Sequence, residues 1–192
     1  EPLHLDHPQR HYRRDDGAQV TVCYGAERPS ALAPDTPTIL TAYEDKAAVQ
    51  RLADAIRERN PEAIFTHGLP DWNIEHIGTC LLVVRAYQAA VRGGYGGMLL
   101  TCPNGTADFG ARAAGWDTFV DISRYGQQKL AAIGAHACQF PTPYQTDFPV
   151  LERWRHWGTA CGCTYAEVFA VAGWPRVQGD HPEFTTEIMQ HL

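Results

Sequence analysis

From Glu44 onward the sequence alternates between apolar residues at helical spacing and short continuous apolar runs, and this alternation restricts the fold more than any other feature. Ala47, Val49, Leu52, Ala53 and Ile56 recur with the period of an α-helix. Asn60-Pro61 ends that run, because the residue before a proline resists helical geometry. Ala63-Ile64-Phe65-Thr66 then reads as a strand that stops at His67-Gly68. Ile77, Cys80, Leu81, Val84, Tyr87 and Val91 define a second helix, stopped by Gly93-Gly94. Further strands are expected at Gly97 to Thr101 and Thr118 to Ile122, helices at Gly126 to Cys138 and Phe148 to Trp157, and a last β-like run at Tyr165 to Val171. Strands that alternate with helices need crossover connections. The expected fold class is therefore α/β, a Rossmann-like, mainly parallel sheet with helices on both faces.

The first 42 residues do not follow this rhythm. Strand-like runs at Leu3 to Leu5 and Gln19 to Tyr24 sit among the charged and turn residues Gln9 to Gly17 and prolines at 29, 34 and 37, which suggests a hairpin or a long surface loop. The opening Glu1-Pro2-Leu3-His4-Leu5 alternates as if in mid-strand, so the expectation is a single domain over 1–192 that is incomplete at its N-terminus and lacks a first strand.

Charge and cysteine usage narrow the partners. A net charge of -6 without a lysine- or arginine-rich run argues against nucleic acid or an anionic membrane surface. No run approaches the roughly 20 apolar residues needed to cross a bilayer. A small-molecule partner is expected, together with a missing N-terminal segment or further copies of the chain in a homo-oligomer. Six cysteines are scattered and mostly flanked by apolar or helical residues, the pattern of buried thiols in a reducing compartment, hence a cytoplasmic location. Cys161-Gly162-Cys163 has the form of a metal or redox pair but lacks the second cysteine pair of a structural zinc site, and reads as structural.

In parallel sheets the ligand sits beyond the carboxyl ends of the strands, which directs attention to the loop after Thr66. There His67-Gly68-Leu69-Pro70-Asp71-Trp72-Asn73-Ile74-Glu75-His76 packs two histidines, two carboxylates, an amide and an indole between a strand end and a helix. A neutral imidazole is a common zinc donor, and a neighbouring carboxylate fixes its tautomer. The plainer reading is that Asp71 or Asn73 merely caps the helix that begins near Ile74.

Three stretches in order resemble the PIG-L/LmbE family of zinc-dependent N-deacetylases. Thr66 to His76 looks like its second metal motif, with Asn73 where the family often has histidine and Glu75 in place of aspartate. Val120-Asp121-Ile122-Ser123, Lys129 to Ile133 and Ala135 to Phe140 look like its "D-I-S … K-x-x-A-I … A-H-x-S-Q", with Cys138 for serine. Tyr165-Ala166-Glu167-Val168-Phe169 resembles its "Y-A-E-x-F". The resemblance implies Zn2+ as cofactor, His76 as metal ligand, and Asp71, Asn73 and His136 as catalytic-site residues. Asp71 would orient His76 or cap the helix, Asn73 would donate a hydrogen bond to an oxyanion, and His136 would line the site. It further implies hydrolysis of an N-acyl, typically N-acetyl, group on an amino sugar or related glycoconjugate.

The family's opening H-P-D-D-E motif has no close copy here. Either His4-Leu5-Asp6-His7 is a degenerate version, with His4 and His7 as ligands and Asp6 as base, or the motif belongs to a segment preceding Glu1. In the second case His76 is one ligand of three. The rival reading is a non-catalytic sugar- or protein-binding domain of the same fold that has lost the first metal motif. A nucleotide-binding reading has no G-x-G-x-x-G to support it.

Overall fold

The computed structural model describes residues 4–7, 11–13, 16, 19–21, 38–69, 71, 73–102, 118–135, 149–174 and 183–184. They fall into two compact units, Glu1–Asn104 with Val171–Leu192, and Gly105–Ala170.

In the first unit, β1 (His11–Arg13) and β2 (Gln19–Thr21) pair antiparallel, with His11 opposite Thr21. A hairpin is present, but its first strand lies in the polar run whose residues suggest a turn. Residues 4–7 hold no regular structure, and Asp6 has a positive φ of 56°. A strand ladder is made by backbone groups, so a ribbon can form in a segment whose side chains give no apolar alternation. Leu5 is used differently: it packs against the buried cluster of Ala42, Ala48 and Leu82.

Helix α1 (Lys46–Arg59) starts where Asp45 accepts a hydrogen bond from the Ala47 N–H at 2.8 Å, and it ends at Asn60, whose φ of 42° turns the chain into Pro61. Strand β3 (Ala63–His67), helix α2 (Ile74–Arg92) and strand β4 (Met98–Cys102) form a βαβ unit in which β3 and β4 are parallel, His67 lying opposite Cys102. The core is a cluster of Ala53 and Ile56 from α1, Cys80, Val84, Ala86, Tyr87 and Ala90 from α2, and Leu99 from β4. Two tyrosines tie its rim, Tyr87 donating to the Gly97 carbonyl at 2.9 Å and Tyr95 to the Pro61 carbonyl at 2.7 Å. Gly78 lets α2 approach the turn at 38–41, since a Cβ there would stand 2.5 Å from the Ile39 carbonyl oxygen.

The second unit holds β5 (Thr118–Asp121), α3 (Gly126–Gly134), α4 (Pro149–Cys161) and the start of β6 (Ala166–Trp174), whose last residues belong to the first unit. Its core is Ile122, Leu130, Leu151 and Trp154, with Ile133, Val150 and Tyr165 packed against it. Lys129 of α3 forms an ion pair with Glu167 of β6, and its ammonium sits 5.2 Å from the centre of the Trp154 ring. Two of the stretches that carry the family resemblance therefore meet through their charged residues. The remainder of β6 pairs antiparallel with β7 (Glu183–Phe184), while β5 is antiparallel to its start, Thr118 opposite Phe169.

The fold is α/β. Its sheet is mixed: parallel where the β3–α2–β4 crossover dictates, and antiparallel where β6 meets β5 and β7. Periodicity identifies a strand but not its direction, which is why the sequence alone suggests mainly parallel pairing. Among the described residues no helix is long and apolar enough to cross a membrane.

Candidate metal centre

The site grows from the carboxyl end of β3. His67 is the last residue of that strand, and the Gly68 N–H continues the ladder by donating to the Cys102 carbonyl at 2.8 Å. The chain then leaves the sheet and re-enters regular structure at α2, with Asp71 in the connection, Asn73 as N-cap and His76 in the first turn.

Asp71 organises this connection. Its side chain is fully buried, Oδ1 accepting the Asn73 backbone N–H at 2.8 Å and Oδ2 facing His76 Nδ1 at 2.9 Å. A carboxylate can only accept, so His76 carries its proton on Nδ1 and presents a lone pair at Nε2. That lone pair faces the Asn73 side-chain amide, Nδ2 to Nε2 being 3.3 Å. Asn73 is held in this orientation because its other atom, Oδ1, caps the helix by accepting the Glu75 N–H at 2.9 Å. The capping role and the site role expected for Asn73 coexist in one side chain.

The His67 ring stacks on His76, centroids 3.9 Å apart and planes within 4°. Burial lowers the His67 pKa, the neighbouring His76 lowers it further, and Asp71 partly opposes both. The neutral imidazole that results at physiological pH is the form that donates to a metal. His67, Asp71 and His76 offer ligand atoms that all lie within 4.8 Å of one another, and among the described residues they are the group of three or more His, Cys, Asp or Glu able to hold an ion. Two imidazoles suit a divalent transition-metal ion, with the Asp71 carboxylate, bonded to His76 Nδ1, orienting the ligand from behind.

The structure thus brings together Asp71, Asn73 and His76 and adds His67, which the sequence reading leaves out of the site. The signal for His67 is its place at the end of a parallel strand. His136 and Trp72 lie outside the described residues. His4, Asp6 and His7 do not join the group: His4 and Asp6 are exposed, and the His4 carbonyl is engaged by Arg51 at 2.9 Å. The expectation of buried thiols is met at Cys80, whose pKa burial, aided by Asp71, pushes up to about 12. It fails at Cys161, which is exposed, and Cys102 and Cys163 are half-buried.

Fold and site together define an α/β protein with a His-Asp-His group capable of holding a metal ion at a strand end. No family model matches the chain, and no curated protein does. Solved structures do. The conserved protein TT1542 from Thermus thermophilus matches with a TM-score of 0.51 and 26% identity, covering 66% of this chain and 58% of that one. GalB, the 4-carboxy-2-hydroxymuconate hydratase from Pseudomonas putida, matches with a TM-score of 0.55 and 27% identity, covering 70% of this chain and 61% of that one. The chain spans about three fifths of the length of either neighbour.

Proposed function

We propose that this chain carries part of the active site of a zinc-dependent enzyme that removes an N-acyl, typically N-acetyl, group from an amino sugar or related glycoconjugate in the cytoplasm. The observation that carries the metal-dependent part of this reading is the group of His67, Asp71 and His76 at the carboxyl end of β3. The resemblance to PIG-L/LmbE deacetylases supplies the amide substrate and the zinc. The free thiols of Cys80, Cys102, Cys161 and Cys163 are in keeping with a reducing compartment.

A divalent ion held there would polarise the substrate carbonyl and acidify a water molecule. The chain's own residues do the rest. Asp71 holds the His76 imidazole in the tautomer that frees Nε2. Asn73, fixed by its capping bond, faces the His76 Nε2 with its amide N–H, and would donate instead to a substrate oxygen once an ion occupies that nitrogen. His136 would line the site, as the resemblance implies.

A second reading comes from the likeness to a hydratase. Addition of water to an unsaturated acid uses the same activated water, and differs in the bond attacked. The test is a parallel assay of the purified chain with added zinc, following free amine from N-acetylglucosamine-type substrates and loss of absorbance from 4-carboxy-2-hydroxymuconate. Amine release that EDTA and His76→Ala both abolish supports the deacetylase. Consumption of the unsaturated acid alone, with the same two sensitivities, replaces it with the hydratase. Binding of N-acetylated sugars by a chain that retains no metal would favour a non-catalytic sugar-binding domain.

A further inference from the structure

Helix α4 ends at Cys161, and the chain turns through Gly162 to Cys163 before entering β6. Gly162 has a φ of +80°, a conformation L residues seldom adopt, and this turn brings the two sulfurs to 3.5 Å from each other. A disulfide requires about 2.05 Å, so closing the pair needs a movement of only about 1.5 Å. Cys161 is exposed and Cys163 half-buried. Their surroundings differ as well. The Cys163 thiol donates to the Tyr165 carbonyl at 3.2 Å, and its backbone N–H donates to the Gly158 carbonyl at 2.8 Å. The Cys161 thiol reaches the Gly158 carbonyl only at 3.7 Å. One sulfur is held in place, and the other faces solvent beside it.

We propose that Cys161 and Cys163 form a thiol–disulfide exchange site, closed reversibly to an intramolecular disulfide by small-molecule disulfides of the glutathione class. Cys161 attacks first. Its thiolate displaces one thiolate from the small disulfide, giving a mixed disulfide at Cys161, and the expelled thiolate takes up the proton Cys161 lost. Cys163 then attacks the Cys161 sulfur, forming the intramolecular bond and breaking the mixed disulfide, and its proton leaves with the second small thiol. Two protein thiols are oxidised and one disulfide is reduced to two thiols. The order follows from access, Cys161 being exposed and Cys163 half-buried; burial and then the hydrogen bond to Cys161 raise the pKa of Cys163, with the Ser123 hydroxyl opposing them.

The test is treatment of the reduced, full chain with oxidised glutathione at mildly alkaline pH, acid quench, alkylation under denaturing conditions and peptide mapping. The expected result is that the peptide containing both residues loses two hydrogens, escapes alkylation and regains both thiols with dithiothreitol. Cys163→Ser is expected to trap glutathione on Cys161, while Cys161→Ser leaves Cys163 alkylatable. Gly162→Val, which disfavours the positive φ and whose Cβ would have no atom within 4 Å, is expected to slow closure at least severalfold and lengthen the life of the mixed disulfide. Full alkylation of both cysteines in the wild type, or a glutathione adduct that persists there unresolved, overturns the proposal. So does closure in Gly162→Val at the wild-type rate.

Discussion

Asp71 and His76 are joined by a 2.9 Å hydrogen bond between a fully buried carboxylate and the Nδ1 of a partly exposed imidazole, so the outward-facing nitrogen of His76 is set from behind. The same carboxylate binds the Asn73 N–H, linking the orientation of the imidazole to the start of α2. A candidate metal ligand and a helix N-terminus share one organising residue. Asp71→Asn tests this relationship, because it keeps the shape and removes the charge. Such partners of a ligating histidine typically contribute 10- to 100-fold in metal affinity. Asp71→Asn is expected to retain zinc with an affinity weakened by about that factor, measured by chelator competition, whereas His76→Ala loses stoichiometric zinc. If Asp71→Asn loses the metal as completely as His76→Ala, Asp71 is itself a ligand.

Asn73 performs two tasks with two atoms, and Asp can perform only one of them. Asn73→Asp keeps an oxygen to cap α2 and removes the amide donor that faces His76 Nε2. Replacing a good N-cap by alanine costs about 1 kcal/mol, while Asp and Asn cap comparably. Asn73→Asp should therefore match the wild type in urea stability to within about 0.5 kcal/mol, and Asn73→Ala should fall below it by about 1 kcal/mol. Turnover should drop in both variants, by tenfold or more, as expected when a donor to a developing oxyanion is lost. Wild-type turnover in Asn73→Asp would remove Asn73 from the chemistry and leave it a cap.

Much of this site is legible in the amino-acid sequence. The helices before and after β3 announce themselves by apolar spacing, and their ends by Asn60-Pro61 and Gly93-Gly94; α1 and α2 lie within two residues of the expected bounds at either end that the sequence defines. The density of polar residues from His67 to His76 marks the loop. Which of them meet is not legible. His67 and His76 are nine positions apart, and nothing in that interval says that the rings stack, because the turn between them is shaped by the Asp71 carboxylate binding the Asn73 backbone. Strand direction at β6 is likewise hidden, being decided by pairing partners distant in sequence. The strand at His11–Arg13 escapes a reading by periodicity because backbone pairing there needs no apolar alternation.

The ion pair of Lys129 and Glu167 links α3 to β6, with both side chains about one third exposed (36% and 28%). Solvent screens such a pair, and its worth is set at about 0.5–1 kcal/mol, to which the contact of Lys129 with the Trp154 face adds a comparable amount. A double-mutant cycle with Lys129→Met and Glu167→Gln should give a coupling energy of about 0.5–1 kcal/mol that declines in high salt. A coupling near zero would mean that the pair specifies geometry without stabilising the unit.

The buried thiol of Cys80 and the buried phenol of Tyr87 predict how stability responds to alkali. Burial raises both pKa values, Cys80 from 9.0 to about 12, with Asp71 reinforcing the thiol's shift and Tyr95 that of Tyr87. In each case the folded state holds the proton more tightly than the unfolded state does. The stability these groups confer is thus fully present below the unfolded-state pKa near 9 and is lost as pH rises toward the folded-state value. Between about pH 9 and pH 12 the thiol alone removes up to about 1.4 kcal/mol per pH unit. Urea midpoints measured at pH 7.5, 9 and 10 should stay level to about 8.5 and then fall, and Cys80→Ala should fall less steeply over the same range. The same shift keeps Cys80 unreactive: alkylation of the native chain at pH 8 should label Cys161 and spare Cys80, and rapid labelling of Cys80 would show that α2 opens readily beside the metal centre.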